Sequence, residues 1–310
     1  MLVHELGVDG VAARLRGDGL GIDLGAAAVC IRSDIDELPS LLSRLYGDFD
    51  VAAAPGLFDV TVQLKVERAW WRRLRPQVNL WLDGEREFEP FPRDTPLPLL
   101  EWGINYGLAS RLSCHLLLHA GVVARGDKAL VLPAMPGSGK STLTAYLSRR
   151  GYRLLSDEFG VIRLDDRLVL PLLRPVALKN ASIDVLRAAD PALTLGPSYP
   201  RTRKGTVAHM APSASDARAV HQPARPAAIV FPQYVPGAGA ELRPLEPART
   251  FGRLAVNSFN YDVLGPQGFE ALCDVIETTS AHSLVYGDLA AAVSHIDALM
   301  AGPAAGAEPT

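Results

Sequence analysis

Ala129-Leu130-Val131-Leu132-Pro133-Ala134-Met135-Pro136-Gly137-Ser138-Gly139-Lys140-Ser141-Thr142 is the stretch whose reading decides the fold. Its first half is a short apolar run bounded by turns, the pattern of a buried strand. Its second half is rich in glycine and ends in Gly-Lys-Ser-Thr. A helical pattern follows, with Leu143, Tyr146 and Leu147 on one face and Gly151 as the expected stop. Strand, glycine loop and helix in this order make a phosphate cradle. Gly137 and Gly139 have no Cβ to keep phosphate oxygens from the backbone amides, and they permit left-handed dihedrals. Successive N–H groups then face an anion at the positive end of the helix dipole. Pro136, Gly137, Ser138, Gly139, Lys140, Ser141 and Thr142 are the expected nucleotide-binding residues. Lys140 would reach the β- and γ-phosphates, and Ser141 would offer its hydroxyl to Mg²⁺, which takes hard oxygen ligands. The common pattern opens on Gly where this chain has Ala134.

Directly after that helix comes Tyr152-Arg153-Leu154-Leu155-Ser156-Asp157-Glu158, a short strand ending in two carboxylates. In a parallel sheet they would lie beside the phosphate loop, at the carboxyl edge where ligands bind. Phosphoryl transfer needs a cation to neutralise developing charge and a group to orient the nucleophile. Two adjacent carboxylates can divide that work, one accepting a hydroxyl proton and the other holding Mg²⁺. His119, on the strand preceding the phosphate-loop strand, reads from its own surroundings as a core histidine.

Around this centre the sequence divides. The first 95 residues read as a smaller mixed α/β domain. Gly19 to Ile31 is an apolar strand region, and a helix capped by Ser33 or Asp34 runs to Tyr46. Asp59 to Val66 alternates with period two, and Gln77 to Leu82 turns at Asp83-Gly84 into Glu85 to Phe91. Trp70, Trp71 and Trp81 read as core packing rather than as a peptide groove. The stretch Glu89 to Pro98 holds four prolines in ten residues and is the expected linker. Residues 96–301 form the expected catalytic α/β domain, beginning with a helix from Leu99 to Leu117 and closing with helices at Gly268–Glu277 and Gly287–Met300. Residues 302–310 read as a flexible tail. Asp190 to Ala227, rich in Pro, Ser and Ala, reads as a long irregular loop. On it Arg201, Arg203 and Lys204 are either a clamp for substrate or a solvated basic turn. Arg174 and Lys179, after the Leu168 to Leu173 strand, either approach the nucleotide or lie on the surface, and the surface reading is preferred.

Composition excludes several classes. Of 310 residues, 48% are hydrophobic and 21% charged, a globular balance. With 31 Lys and Arg against 34 Asp and Glu, no broad basic footprint for nucleic acid exists. Cys30, Cys114 and Cys273 form no metal or disulfide pattern and read as buried thiols in a reducing compartment. No signal peptide is evident and no apolar run approaches the roughly 20 residues of a membrane span, so a cytoplasmic protein is expected.

Leu118-His119-Ala120-Gly121-Val122-Val123, the Gly-Ser-Gly-Lys-Ser loop and Gly151-Tyr152-Arg153-Leu154-Leu155-Ser156-Asp157-Glu158 together resemble the catalytic domain of HPr kinase/phosphorylase. More closely the chain resembles the HPr-kinase-related kinase A group. That likeness extends over Pro200 to Gly205, Val207 to Met210 and Phe231 to Tyr234. The resemblance implies a P-loop fold shared with phosphoenolpyruvate carboxykinase and transfer of the γ-phosphoryl group of ATP to a Ser or Thr hydroxyl. Asp157 would be the catalytic base with His119 coupled to it, and Glu158 would help hold Mg²⁺. The substrate would be a peptide or small protein, in the related group often a ribosomal peptide handled with a PqqD-like chaperone. A homo-oligomer is a further expectation, because the parent family forms them. The chain departs from the parent pattern at Leu172-Leu173-Arg174-Pro175, where an acidic residue before the Arg is absent. Neither phosphorylase activity nor HPr as substrate is therefore expected. Kinases of small metabolite hydroxyls and nucleotide-gated binding modules share the same phosphate loop and stand as alternatives.

Overall fold

The computed structural model describes residues 1–52, 56–67 and 76–301. Trp70, Trp71 and the 302–310 tail lie outside the described residues. The protein is mixed α/β. It divides into two compact units that interleave along the chain: unit 1 holds Met1–Ser113 and Leu172–His221, and unit 2 holds Cys114–Pro171 and the residues from Gln222 onward. The Pro-rich stretch at 89–98 falls inside unit 1, and residues 96–301 contribute to both units.

In unit 1 a 3-10 turn at Val3–Leu6 leads into α1 (Gly7–Arg16). The apolar strand region expected at 19–31 is a hairpin of β1 (Leu20–Asp23) and β2 (Ala28–Ser33). Next, α2 (Leu38–Leu45) crosses over to β3 (Val60–Val66), which joins β2 in parallel. β4 (Gln77–Leu82) pairs antiparallel with β3. The Asp83-Gly84 turn forms, both residues at positive φ, but no continuous strand follows it. Only β5 (Phe91–Pro92) returns to the sheet, at its edge, where a missing proline N–H costs no ladder bond. Then α3 (Pro96–Arg111) begins on a proline, tolerated in a first turn whose N–H groups have no helical acceptor. It stops before Leu117, because His115–Leu117 are drawn into the next strand.

Unit 2 opens with β6 (His115–Arg125) and β7 (Lys128–Pro133), followed by α4 (Lys140–Ser148), β8 (Arg153–Ser156), β9 (Phe159–Arg163) and β10 (Val169–Leu170). The chain then returns to unit 1 for β11 (Val176–Lys179), α5 (Ala181–Ala189), β12 (Tyr199–Thr202), β13 (Gly205–Met210) and α6 (Ala214–Arg218). The expected irregular loop at 190–227 is thus an antiparallel hairpin plus a short helix, whose Ser213 and Asp216 cap each other reciprocally. Of the prolines read as breakers there, Pro200 lies within β12 and Pro226 within β14, and the others lie between short elements.

The last segment belongs to unit 2: β14 (Arg225–Tyr234), β15 (Glu241–Pro244), α7 (Pro247–Val256), α8 (Tyr261–Leu264), α9 (Pro266–Thr278), β16 (Ser280–Tyr286) and α10 (Leu289–Ala301). Its sheet runs β10-β9-β6-β7-β14-β16-β15, with β8 also on β6. β7, β14 and β16 are parallel to one another. β6 lies antiparallel to β7 on one edge and to β8 and β9 on the other. The sheet is therefore mixed, not parallel. Because β6 is reversed, β8 still runs in the same direction as β7, and its carboxyl end meets the phosphate-loop edge. Strand alternation sends Leu116, Leu118, Ala120 and Val122 into a core with Leu254 of α7 and Leu272 and Val275 of α9. On the opposite face α4 packs so closely that a Cβ on Gly121 would strike the side chain of Thr144.

Unit 1 buries an ion pair that the sequence reading assigned to the surface. Arg174 is 8% exposed and Glu101 of α3 is 5% exposed, their charged atoms 3.3 Å apart. Tyr46 donates to Glu101 at 2.7 Å, and Arg174 also donates to Asn105. His209 of β13 is 2% exposed. Lys179, by contrast, is exposed as expected. Of the cysteines only Cys30 is buried; Cys114 is exposed and Cys273 intermediate, and all are free thiols. Among the described residues no helix is long and apolar enough to cross a membrane.

Burial, and secondarily the charge of Arg174, hold the His209 imidazole down to about 4 from an ordinary 6.5. A base with its folded pKa lowered is neutral in the fold and takes up a proton on unfolding. Stability is full above 6.5 and falls as pH drops from about 6.5 toward about 4. Urea unfolding at pH 7 and pH 5 should show the wild type losing about 2 kcal/mol more than His209→Leu. Equal losses would contradict this assignment.

Candidate functional site

The phosphate loop of unit 2 leaves β7 at Pro133 and enters α4 at Lys140. Gly137 has φ +89° and Gly139 φ +87°, a region costing other residues about 1–2 kcal/mol. A Cβ on Gly137 would meet nothing within 4 Å, so the outer side of the loop is open. The first helical bond of α4 runs from the Leu143 N–H to Gly139 O at 3.0 Å. The N–H groups of Lys140, Ser141 and Thr142 precede it, and helix geometry gives them no acceptor of their own. Ser141 and Thr142 are half-buried, and Pro136 and Gly137 are exposed. The Ser138 hydroxyl is buried without a partner among the described residues.

Asp157 and Glu158 occupy a kink rather than a strand end. β8 and β9 lie along the same edge of β6, and the two carboxylate residues interrupt them. The cause is local. Ser156 turns its hydroxyl onto the chain and accepts from the N–H groups of Glu158, at 3.3 Å, and Phe159, at 3.1 Å. Register resumes where Ala120 N–H reaches Glu158 O at 3.2 Å. The kink meets the phosphate loop through Lys140, whose ammonium group donates to the Asp157 carbonyl and lies 3.6 Å from Asp157 Oδ1. This ion pair is buried, the side chains 7% and 9% exposed.

His119 and Glu158 form a second contact, Nε2 to Oε1, at 3.5 Å. Phe259, 41% exposed, stands edge-on to the His119 ring at 5.7 Å. His119 is therefore not an enclosed core histidine. Its strand is held from the far edge by residues 257–260. Asn257 O accepts from His119 N–H at 2.6 Å, and the Asn260 side chain bridges Leu117 N–H and His115 O. Asn257 and Asn260 are thus scaffold for this site.

Two tyrosines escaped the sequence reading. β14 and β16 flank the loop on the side away from β6. Tyr234 N–H donates to Ser138 O at 2.9 Å, and Tyr286 Oη donates to Gly139 O at 3.2 Å. The rings meet edge-to-face, centroids 5.6 Å apart and planes inclined at 63°. Burial raises the Tyr286 phenol above its usual range, so it remains a donor. Tyr234 closes the Phe231–Tyr234 stretch that carries part of the resemblance, where no role attaches to it, and Tyr286 closes the short apolar run Leu284-Val285-Tyr286 before Gly287.

The structure thus brings Lys140, Asp157, Glu158, His119, Ser141 and the loop glycines to one edge of one sheet. Arg201, Arg203 and Lys204 are exposed on the β12–β13 hairpin, which belongs to unit 1. No protein-family model matches the sequence, and no curated protein matches it significantly.

The glycines differ in what a side chain would cost. Gly137→Ala meets only the dihedral penalty, about 1–2 kcal/mol. At Gly139 an added Cβ would also fall 2.5 Å from Tyr286 Oη and 2.9 Å from Tyr234 Cβ. Gly139→Ala should therefore cost about 1–3 kcal/mol more in chemical denaturation. Equal losses would mean that the tyrosines do not clamp the loop.

Proposed function

We propose that the protein is an ATP- and Mg²⁺-dependent kinase of the HPr-kinase-like P-loop class, acting on a Ser or Thr hydroxyl of a peptide or small protein. The observation that carries the reading is the Lys140–Asp157 pair, a phosphate-loop lysine joined to a carboxylate. Supporting it are the open glycine loop, the N–H groups at the start of α4, and Glu158 beside His119. These residues fit a magnesium nucleotide. The N–H groups and Lys140 would take the phosphates, and Ser141 and Glu158 would give oxygen ligands to the cation. Among the described residues no group of three or more His, Cys, Asp or Glu side chains is placed to hold a metal, so the cation would complete its shell with phosphate and water oxygens. The bound nucleotide supplies an electrophilic phosphoryl group.

The residues then take complementary tasks. Lys140 gives up Asp157 and neutralises charge on the phosphate oxygens. Asp157 would accept the proton of the acceptor hydroxyl as the hydroxyl oxygen bonds to the γ-phosphorus and the bond from that phosphorus to the bridging oxygen breaks, ADP leaving. His119, 3.5 Å from Glu158, orients that carboxylate. A PqqD-like chaperone presenting a ribosomal peptide belongs to the same reading.

Mass spectrometry of candidate peptides incubated with protein and Mg-ATP tests it, a +80 Da adduct marking the transferred phosphoryl group. Lys140→Ala should remove most nucleotide affinity. Asp157→Asn should keep binding and lose about three or more orders in transfer rate. Normal transfer by Asp157→Asn would overturn the base assignment. Nucleotide binding with no adduct on any peptide would favour a small-metabolite acceptor or a nucleotide-gated binding module.

A further inference from the structure

Resting on the nucleotide reading above, we infer that Tyr234 is the stacking platform for the nucleobase and sets the affinity for a nucleoside triphosphate over bare triphosphate. The inference comes from strand order. Lys140, Asp157, Glu158 and His119 all lie on the β6–β8–β9 side of the phosphate loop, so the reacting phosphate belongs on that side. A triphosphate is a linear chain, and its nucleoside end leaves toward the other flank. That flank is built by the carboxyl ends of β14, which pairs in parallel with β7, and of β16, which pairs in parallel with β14. There the two tyrosine rings divide the work. Tyr286 is 1% exposed and engaged with Gly139 O. Tyr234 is 47% exposed, and its ring packs edge-to-face on Tyr286. A half-exposed tyrosine has a ring face available to a ligand. The Tyr234 backbone is already fixed to the loop through Ser138 O. An aromatic ring tied to a phosphate cradle, and half-exposed, fits a planar base. Such stacking is tolerant of base identity, because every base has a π-face.

Tyr234→Ala keeps the N–H and the Cβ that contact the loop, so it removes the ring alone. Titration calorimetry on the full chain with Mg-ATP and with Mg-tripolyphosphate isolates the base. Wild type should bind ATP more tightly than tripolyphosphate. Tyr234→Ala should weaken ATP about tenfold and leave tripolyphosphate unchanged; Tyr234→Phe should bind both like wild type. Unchanged ATP affinity in Tyr234→Ala, or an equal loss for both ligands, would overturn the platform while leaving the phosphate site intact. Failure of the wild type to bind either ligand would overturn the nucleotide reading, and the platform with it.

Discussion

The buried pair between Lys140 and Asp157 is the constraint on which the candidate site depends. Lys140 is the first residue of α4 and Asp157 the first residue of the kink between β8 and β9. Each group alone would be a buried, uncompensated charge, an arrangement costing several kcal/mol. Paired, they tie the glycine loop to the carboxylate kink. Burying them together also leaves a choice. An anion of higher charge than a carboxylate, arriving at the α4 N-terminus, competes for the same ammonium group. Lys140 cannot satisfy both at full strength, so phosphate binding and release of Asp157 become one exchange.

The rest of unit 2 holds that pair from two sides. On one side, residues 257–260 occupy the free edge of β6 and hold the His119 strand flat against β9, while Ser156 bends the opposing strand outward. On the other side, Tyr234 and Tyr286 clamp the loop carbonyls at Ser138 and Gly139. The loop is thus held at both flanks and open at Gly137, the arrangement that a ligand approaching its backbone requires.

Much of this was legible in the residues because the signals are local. Glycines before Gly-Lys-Ser have few alternatives to a left-handed loop, and period-two alternation in Val60–Val66 or the apolar run Leu130–Leu132 leaves little choice but a strand. What could not be read depends on pairing across the sequence. Strand direction in the sheet was expected to be parallel, because nothing in His115–Arg125 announces that it runs against β7. Arg174 looked like a surface cation, since its carboxylate comes from Glu101, far back in the chain. The Ser156 turn was hidden for a different reason: a serine before two acids reads as a strand end unless one knows that register resumes at Phe159. Prolines between 190 and 227 suggest irregularity, yet they lie within or beside a hairpin, a capped helix and the start of β14.

The central claim is that nucleotide phosphate takes Lys140 from Asp157. A crystal structure of the full chain with Mg²⁺ and a non-hydrolysable ATP analogue tests it most directly. The expected result is the Lys140 ammonium group on phosphate oxygens, with the Asp157 carboxylate separated from it and facing the acceptor side. A nucleotide bound at the loop with the Lys140–Asp157 pair still closed, or bound elsewhere altogether, would contradict the claim.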